Sequence, residues 1–296
     1  MIKIEVPATT TNFGSGFDAF GLALNLKNIF YINPSERYKV SIEGFSEGIP
    51  ENEENLFIKV YKKVFEIVGE KDIPVSLHQI NNVPPARGLG SSATAIVGAI
   101  EGALSILGRN LNLEEKIKIA FEFEPHPDNI LPAFVGGFVI CATGESTVYK
   151  KLPFPEELKL IFFIPDYEVK TSDARNVLPK DVPLKDAVFN LQRSALLVSA
   201  LLTNDFNLLR EAVKDKLHQP YRKSLVKGFE EAVEISYELG ALATFLSGAG
   251  PTICSITLKN EKLISEKVKE SLEGLCGCKV ETRLLSASNE GVKVSC

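Results

Sequence analysis

The 296-residue sequence predicts a protein built from both helices and strands, in one large domain or two ordinary ones. Residues 2–6 alternate between apolar and polar side chains, as a half-buried strand does. Residues 55–68 place apolar side chains near helical spacing and are followed by Gly69, as a helix would be. Because apolar residues make up 45% of the chain, a substantial core can form.

The other elements are predicted from the same patterns. Residues 37–42 alternate and predict the hairpin partner of the strand before them, and residues 93–100 are small and apolar, as in a buried helix. Residues 151–157 contain two prolines and predict a linker between two halves of the chain. The remaining predicted elements are strands at residues 22–32, 74–80, 139–141, 147–150, 158–164, 241–246, 253–258 and 278–284, and helices at residues 113–123, 187–203, 205–217 and 261–272.

Charge and hydropathy narrow the choice of partner. The net charge is −5 and there is no long basic run, which argues against binding to nucleic acid or to an anionic membrane. The first residues lack the apolar core of a signal peptide, and no apolar stretch is long enough to span a bilayer. We therefore expect a soluble, cytoplasmic protein.

The chain contains an odd number of cysteines, and none of them has the spacing of a zinc site. The only cluster is Cys276-Gly277-Cys278. We interpret all five cysteines as reduced structural thiols.

Residues 84–94 form a glycine-rich loop that leads into the predicted buried helix. Gly88 and Gly90 allow backbone angles and close approaches that a Cβ would prevent, and Ser91 and Ser92 are good N-cap residues. Free N–H groups at a helix start attract phosphate, although a flexible helix entry without a ligand is the alternative. The loop differs from the Walker loop because no Lys follows Gly90, and from the dinucleotide fingerprint because a third glycine is missing.

Residues 7–21 form an irregular segment in which Asn12 and Asp18 lie among three phenylalanines. Polar groups in such surroundings need partners, from the protein or from a ligand. The alternative is a turn that Asn12 caps, with Asp18 on the surface.

Residues 122–138 bring several polar side chains together. Prolines flank His126, so we expect a constrained, non-helical backbone there. Because His126 is followed by Asp128 and Asn129 and preceded by glutamates, the segment is a better site candidate than a lone histidine.

The loop P-x-x-x-G-L-G-S-S-A at residues 84–93 resembles the central ATP loop of the GHMP kinases, the family of galactokinase, homoserine kinase, mevalonate kinase and phosphomevalonate kinase. Five further segments resemble family motifs in the family's order, so that the resemblance covers essentially the whole chain. The versions found in homoserine kinases are the most similar, with Pro125 departing from the usual Gly. These segments are residues 7–21 and 122–138, T-x-x-A-R at 171–175, H-x-P-Y-R at 218–222 and S-G-A-G-P-T at 247–252.

The resemblance implies a two-domain α+β fold, with an S5-like N-terminal domain at residues 1–152 and a ferredoxin-like C-terminal domain at residues 153–296. It implies transfer of the γ-phosphate of ATP to the side-chain hydroxyl of L-homoserine, with Mg²⁺, in threonine biosynthesis. It also makes a homodimer plausible.

The resemblance also implies roles for individual residues. Ser92 and Glu124 would bind Mg²⁺, with Glu122 as an alternative to Glu124, and Asn129 would lie by the reacting hydroxyl, which it can orient but not deprotonate. Asp18 would meet the substrate ammonium. The other substrate residues would be Asn12, His126, Thr171, Arg175 and Arg222, the two arginines on the carboxylate, and the ATP residues would be Asn55 beside the base and Pro85, Ala86, Arg87, Gly88, Leu89, Gly90, Ser91, Ser92 and Ala93.

Two other functions are compatible with these motifs. A GHMP kinase acting on mevalonate would share the loop, but mevalonate has no ammonium for Asp18. A non-catalytic sensor would not need to keep Ser92, Glu124 and both arginines. Whether a side chain such as Asp128 removes a proton is left open by the sequence.

Overall fold

The computed structural model describes residues 1–296, and its strands form two sheets. The seven-stranded sheet has the order β11-β1-β2-β4-β3, with β5 paired to β2 and β6 paired to β5. Its strands are β1 (Ile2–Thr11), β2 (Phe20–Pro34), β3 (Lys39–Gly44), β4 (Val75–Asn81), β5 (Phe138–Ala142), β6 (Val148–Leu152) and β11 (Lys293–Ser295). The four-stranded sheet has the order β10-β7-β9-β8, from β7 (Lys159–Pro165), β8 (Ala243–Leu246), β9 (Ile253–Thr257) and β10 (Val280–Leu285).

Ten α-helices connect and cover these strands. None of them combines the length and the apolar character that a membrane span requires. They are α1 (Leu56–Ile67), α2 (Ser91–Leu107), α3 (Leu113–Phe121), α4 (Pro127–Val135), α5 (Thr171–Asn176), α6 (Leu184–Thr203), α7 (Leu209–Ala212), α8 (Gln219–Arg222), α9 (Phe229–Glu238) and α10 (Glu261–Cys276).

Two large hydrophobic clusters of 24 buried residues each organise the interior. The first lies between α1, α2 and the seven-stranded sheet, where Gly98 and Gly102 let α2 approach the sheet closely. The second joins Phe13 and Phe138 of the first half of the chain to Phe245 of the second half. Both halves therefore share apolar packing, and β11 returns from the second half to pair with β1. The division at residue 152 stays a prediction.

The prediction that residues 37–42 form a hairpin with the preceding strand is wrong. β3 pairs in parallel with β4, with Val40 opposite Leu77. Parallel strands need a crossover connection, and α1 supplies it between β3 and β4.

Two predictions of helical structure also need correction. The backbone after His126 is helical, because Pro127 occupies the first position of α4, where a missing N–H costs nothing. The helix predicted over residues 205–217 is shorter than expected. A 3₁₀ turn at Phe206–Leu208 leads into α7, which ends at Ala212. Its continuation is replaced by a turn in which the Asp215 carboxylate accepts the backbone N–H groups of residues 217–219.

The interpretation of all five cysteines as reduced is wrong for one pair. Cys276 and Cys278 form a disulfide bond. Gly277 between them has φ +66°, a left-handed turn that ends α10 and brings the two side chains together. Cys141 and Cys254 are free and buried, whereas Cys296 is free and exposed.

Candidate active site

A cavity of about 330 Å³ lies where the glycine-rich loop, α4 and α5 meet. All but one of the predicted site residues line it; the exception is Ala93, which packs in the first hydrophobic cluster. The predicted residues that line it are Asn12, Asp18, Asn55, Pro85, Ala86, Arg87, Gly88, Leu89, Gly90, Ser91, Ser92, Glu124, His126, Asn129, Thr171, Arg175 and Arg222.

The glycine-rich loop has the geometry of an anion site. Gly88 and Gly90 have φ +70° and +68°, and a Cβ at either position would lie within 2.1 Å of another atom. Gly90, rather than the predicted serines, is the N-cap of α2, and no side chain caps the helix. The first N–H groups of α2 therefore lack intrahelical acceptors. They lie at the positive end of the helix dipole, which is the end at the cavity.

Two oxygen-bearing side chains that could hold a metal ion meet beside this loop. The Ser92 hydroxyl lies 3.4 Å from one carboxylate oxygen of Glu124, and the other carboxylate oxygen bonds to His126 Nδ1, which raises the pKa of His126. Glu122 does not line the cavity and pairs with Lys63 at 3.2 Å. The arrangement favours Glu124 over Glu122. Hydroxyl and carboxylate oxygens fit Mg²⁺, which keeps waters and substrate phosphates as its other ligands.

Asp18 and Arg175, assigned by the resemblance to opposite ends of the substrate, bind each other across the cavity. The Arg175 guanidinium donates through both terminal nitrogens to the two Asp18 oxygens, at 2.7 and 2.6 Å. Asn12 holds the loop that carries Asp18, since its oxygen accepts the Asp18 N–H and its NH₂ donates to the Gly248 carbonyl. Both side chains of the pair remain about one-third exposed, so a ligand can reach them.

Phe17 supports both arginines. The guanidinium carbons of Arg175 and Arg222 lie 4.9 and 5.0 Å from the centre of its ring. Arg222 is buried and donates to the carbonyl oxygens of Ala174 and Gly248. Burial, together with the neighbouring Arg175, lowers the pKa of Arg222 to about 10. Two neighbouring guanidinium groups can bind a carboxylate even in an acidic protein.

Asn129 lines the cavity next to Gly90 of the glycine-rich loop. Its side-chain oxygen accepts a hydrogen bond from the Thr9 hydroxyl at 2.9 Å. This bond assigns the NH₂ group to the cavity side, where it can donate to an oxygen of a ligand.

Comparison with known proteins decides the family. Residues 55–137 match the model of the GHMP kinases N-terminal domain, and residues 197–274 match that of the GHMP kinases C-terminal domain. The chain belongs to the GHMP kinase family. This confirms the resemblance on which the site assignment was based and the predicted α+β fold.

Full-length relatives refine the comparison. A homoserine kinase of Aquifex aeolicus is 65% identical over 295 residues, which cover 99% of each chain. A homoserine kinase of Persephonella marina is 42% identical and covers 99% of this chain and 98% of its own. The crystal structure of homoserine kinase from Cytophaga hutchinsonii has a TM-score of 0.86 at 28% identity, covering 99% and 97%. A mevalonate kinase structure, with a TM-score of 0.72 at 17% identity, shows the shared fold only.

In this GHMP kinase the Asn55 side chain is largely committed to the protein. Its oxygen caps α1 at Phe57, and its NH₂ donates to Pro50 and Gln79. Gln79 and Asn81 line the same part of the cavity and were missed from sequence. The available signal was their place on β4, where Val75 and Leu77 set the buried face and the two amides continue it.

Asp128 is the most unusual group that the sequence left unassigned. Its carboxyl is buried in the cavity wall, and one of its oxygens has no hydrogen-bond partner. Burial, with a smaller contribution from the Asp18 charge, raises the pKa of Asp128 to about 7. A buried polar atom without a protein partner at a cavity wall is a candidate for contact with a ligand.

Proposed function

We propose that this chain transfers the γ-phosphate of ATP to the side-chain hydroxyl of L-homoserine, giving O-phospho-L-homoserine for threonine biosynthesis. The observation that carries the proposal is the Asp18–Arg175 pair beside the glycine-rich loop. An amino acid zwitterion carries the two complementary charges, an ammonium for Asp18 and a carboxylate for Arg175. We also propose that the reaction takes place in the cytoplasm, where ATP is available.

When the substrate binds, the ion pair between Asp18 and Arg175 is replaced by two ion pairs, one at each charged group of the substrate. Its ammonium binds Asp18 and the neighbouring Asp128, while its carboxylate binds Arg175 and Arg222. Because Asp18 and Arg175 neutralise each other before binding, neither charge stands alone in the partly buried cavity. A mevalonate-like acid would bind the arginines but leave both carboxylates without a partner.

Transfer depends on position and charge. The loop N–H groups and the start of α2 bind the phosphates, and Mg²⁺ held by Ser92 and Glu124 would neutralise developing charge. Asn129 donates to an oxygen at the reacting centre but cannot accept a proton. The hydroxyl oxygen bonds to the γ-phosphorus as the bond to ADP breaks, and the proton leaves late, to phosphate or solvent, which a loose transition state permits.

An ADP-release assay with Mg²⁺–ATP tests the function. L-homoserine, mevalonate, L-serine, L-threonine and no acceptor are compared, and turnover chiefly with homoserine is expected. Turnover chiefly with mevalonate would contradict the proposed acceptor. ATP binding without turnover on any of them would favour a sensor.

Glu124→Gln is expected to raise the Mg²⁺ concentration needed for half-maximal activity by about tenfold or more, since a carboxylate ligand becomes a neutral amide. The measurement is a Mg²⁺ titration at saturating ATP and homoserine. Glu122→Gln is the matched control and should leave the titration unchanged, because Glu122 pairs with Lys63 away from the cavity. A shift in the control alone would move the metal site to Glu122.

We further propose that the chain forms a homodimer through α6. Leu184, Val188, Leu191, Ala195 and Leu202 lie at intervals of four, three, four and seven residues, on one face of α6. Leu184 and Leu191 are 80% and 70% exposed. This stripe would be buried by a second copy of α6 packed antiparallel to it about a two-fold axis, with the two copies of Leu191 meeting near the axis.

Leu191→Glu is expected to yield a monomer, because two buried charges would face each other at the axis. Light scattering after size-exclusion chromatography measures the mass. Leu263→Glu, on the exposed face of α10, is the control and should remain dimeric. A wild-type mass of one chain would rule out the dimer.

A further inference from the structure

Arg87 belongs to the glycine-rich loop, and its side chain reaches from that loop towards the other half of the chain. The guanidinium is almost covered, with 13% of the side chain exposed. Its Nε donates to the carbonyl of Pro165 at 3.1 Å, and Nη1 donates to the carbonyl of Pro85 at 3.2 Å. The side chain thus spans from the loop to the end of β7 in the other half of the chain.

A second contact joins the same two segments. The backbone N–H of Val169 donates to the carbonyl of Ala86, at 3.2 Å. Residues 85–87 are therefore attached to residues 165–169 at two points. The attached segment leads directly into α5, which carries Thr171 and Arg175.

The ion pairs of Arg87 contribute less than its hydrogen bonds. Asp166 and Glu168 lie 3.7 and 3.4 Å from the guanidinium, but their side chains are 74% and 51% exposed. Exposed pairs of this kind are weak and screened by salt. The covered bond to the Pro165 carbonyl is the fixed contact, and it depends on the shape of guanidinium as well as on its charge.

We propose that Arg87 is a positioning residue that couples the binding of ATP to the binding of homoserine, an inference that rests on the proposed function. ATP phosphates fix the loop, and the loop fixes the segment that presents Arg175 to the acceptor. By linkage, homoserine must tighten ATP by the same factor. Arg87 does not contact the reacting atoms.

Calorimetry tests the coupling. Dissociation constants of the Mg²⁺ complex of the β,γ-imido analogue of ATP are measured with and without saturating L-homoserine. In the wild type, homoserine is expected to lower this constant by about fivefold or more. In Arg87→Ala and Arg87→Lys the factor is expected to fall below about twofold, since neither side chain can hold both carbonyls.

Asp166→Asn combined with Glu168→Gln is the matched control and should keep the wild-type factor. If Arg87→Ala weakens the ATP analogue equally with and without homoserine, Arg87 is a direct ATP ligand and the inference is wrong. An unchanged factor in Arg87→Lys, or no coupling in the wild type, would also overturn it. Failure of homoserine to bind the wild type at all would overturn the proposed function as well.

Discussion

Arg175→Ala is expected to lower kcat/KM for L-homoserine by at least about 30-fold, or about 2 kcal/mol, mainly through KM. The variant removes the guanidinium group that would bind the substrate carboxylate through two nitrogens, and it leaves Asp18 without its partner. Arg175→Lys should recover little, because an ammonium cannot reproduce the two parallel bonds. Steady-state kinetics at saturating ATP provide the measurement.

A truncated acceptor separates recognition from misfolding. 3-Amino-1-propanol is homoserine without its carboxylate, so wild type and Arg175→Ala should use it about equally poorly. Arg109→Ala, which removes an exposed pair with Glu70, is the control and should behave as wild type. An unchanged homoserine KM in Arg175→Ala would exclude Arg175 from the acceptor site.

Asp128→Asn is expected to weaken homoserine binding and to stabilise the fold, two effects of opposite sign from one carboxyl. The ammonium loses a partner, so kcat/KM for homoserine should fall by about tenfold or more. In the wild type this parameter should fall as pH drops below about 7, where Asp128 becomes protonated. The variant should lack that dependence.

The stability effect follows from the raised pKa of Asp128. The carboxyl ionises near its ordinary pKa in the unfolded chain but only near 7 in the fold, so its contribution destabilises the fold increasingly as pH rises between these values. Asp128→Asn should therefore exceed wild type in free energy of unfolding at pH 8, by at most about 4 kcal/mol, and by less at pH 5. Urea unfolding at both values measures it, with exposed Asp181→Asn as the control. Equal stabilities at pH 8 would show that Asp128 is not a strained buried acid.

The parts of the site that could be predicted from sequence are those whose functional residues lie close together along the chain. Gly88 and Gly90 are required by the close approach of Ser247 and Thr9, and that requirement leaves a glycine pattern in the chain. Asp18, Asn129 and Arg175 lie in motifs whose residue types and spacing are distinctive. Amphipathic elements such as α1 and α10 were predicted correctly because their periodicity is local.

Other features depend on distance through space and left no local pattern. Strand pairing by β3 was predicted wrongly because an alternating sequence does not specify which neighbour it joins. The direction of the Arg87 side chain depends on where β7 ends, 78 residues away along the chain. Gln79 and Asn81 are ordinary strand residues until the fold places them against a cavity.

By itself, the sequence determined the family, the phosphate loop and the residue types that can bind an amino acid zwitterion, because these depend on local backbone requirements and on side-chain chemistry. Only the tertiary structure decided that Asp18 and Arg175 pair, that Glu124 rather than Glu122 meets Ser92, and that Asp128 is buried with an unpaired oxygen. Charge pairing and pKa depend on separation and burial, which exist only once distant segments are packed together.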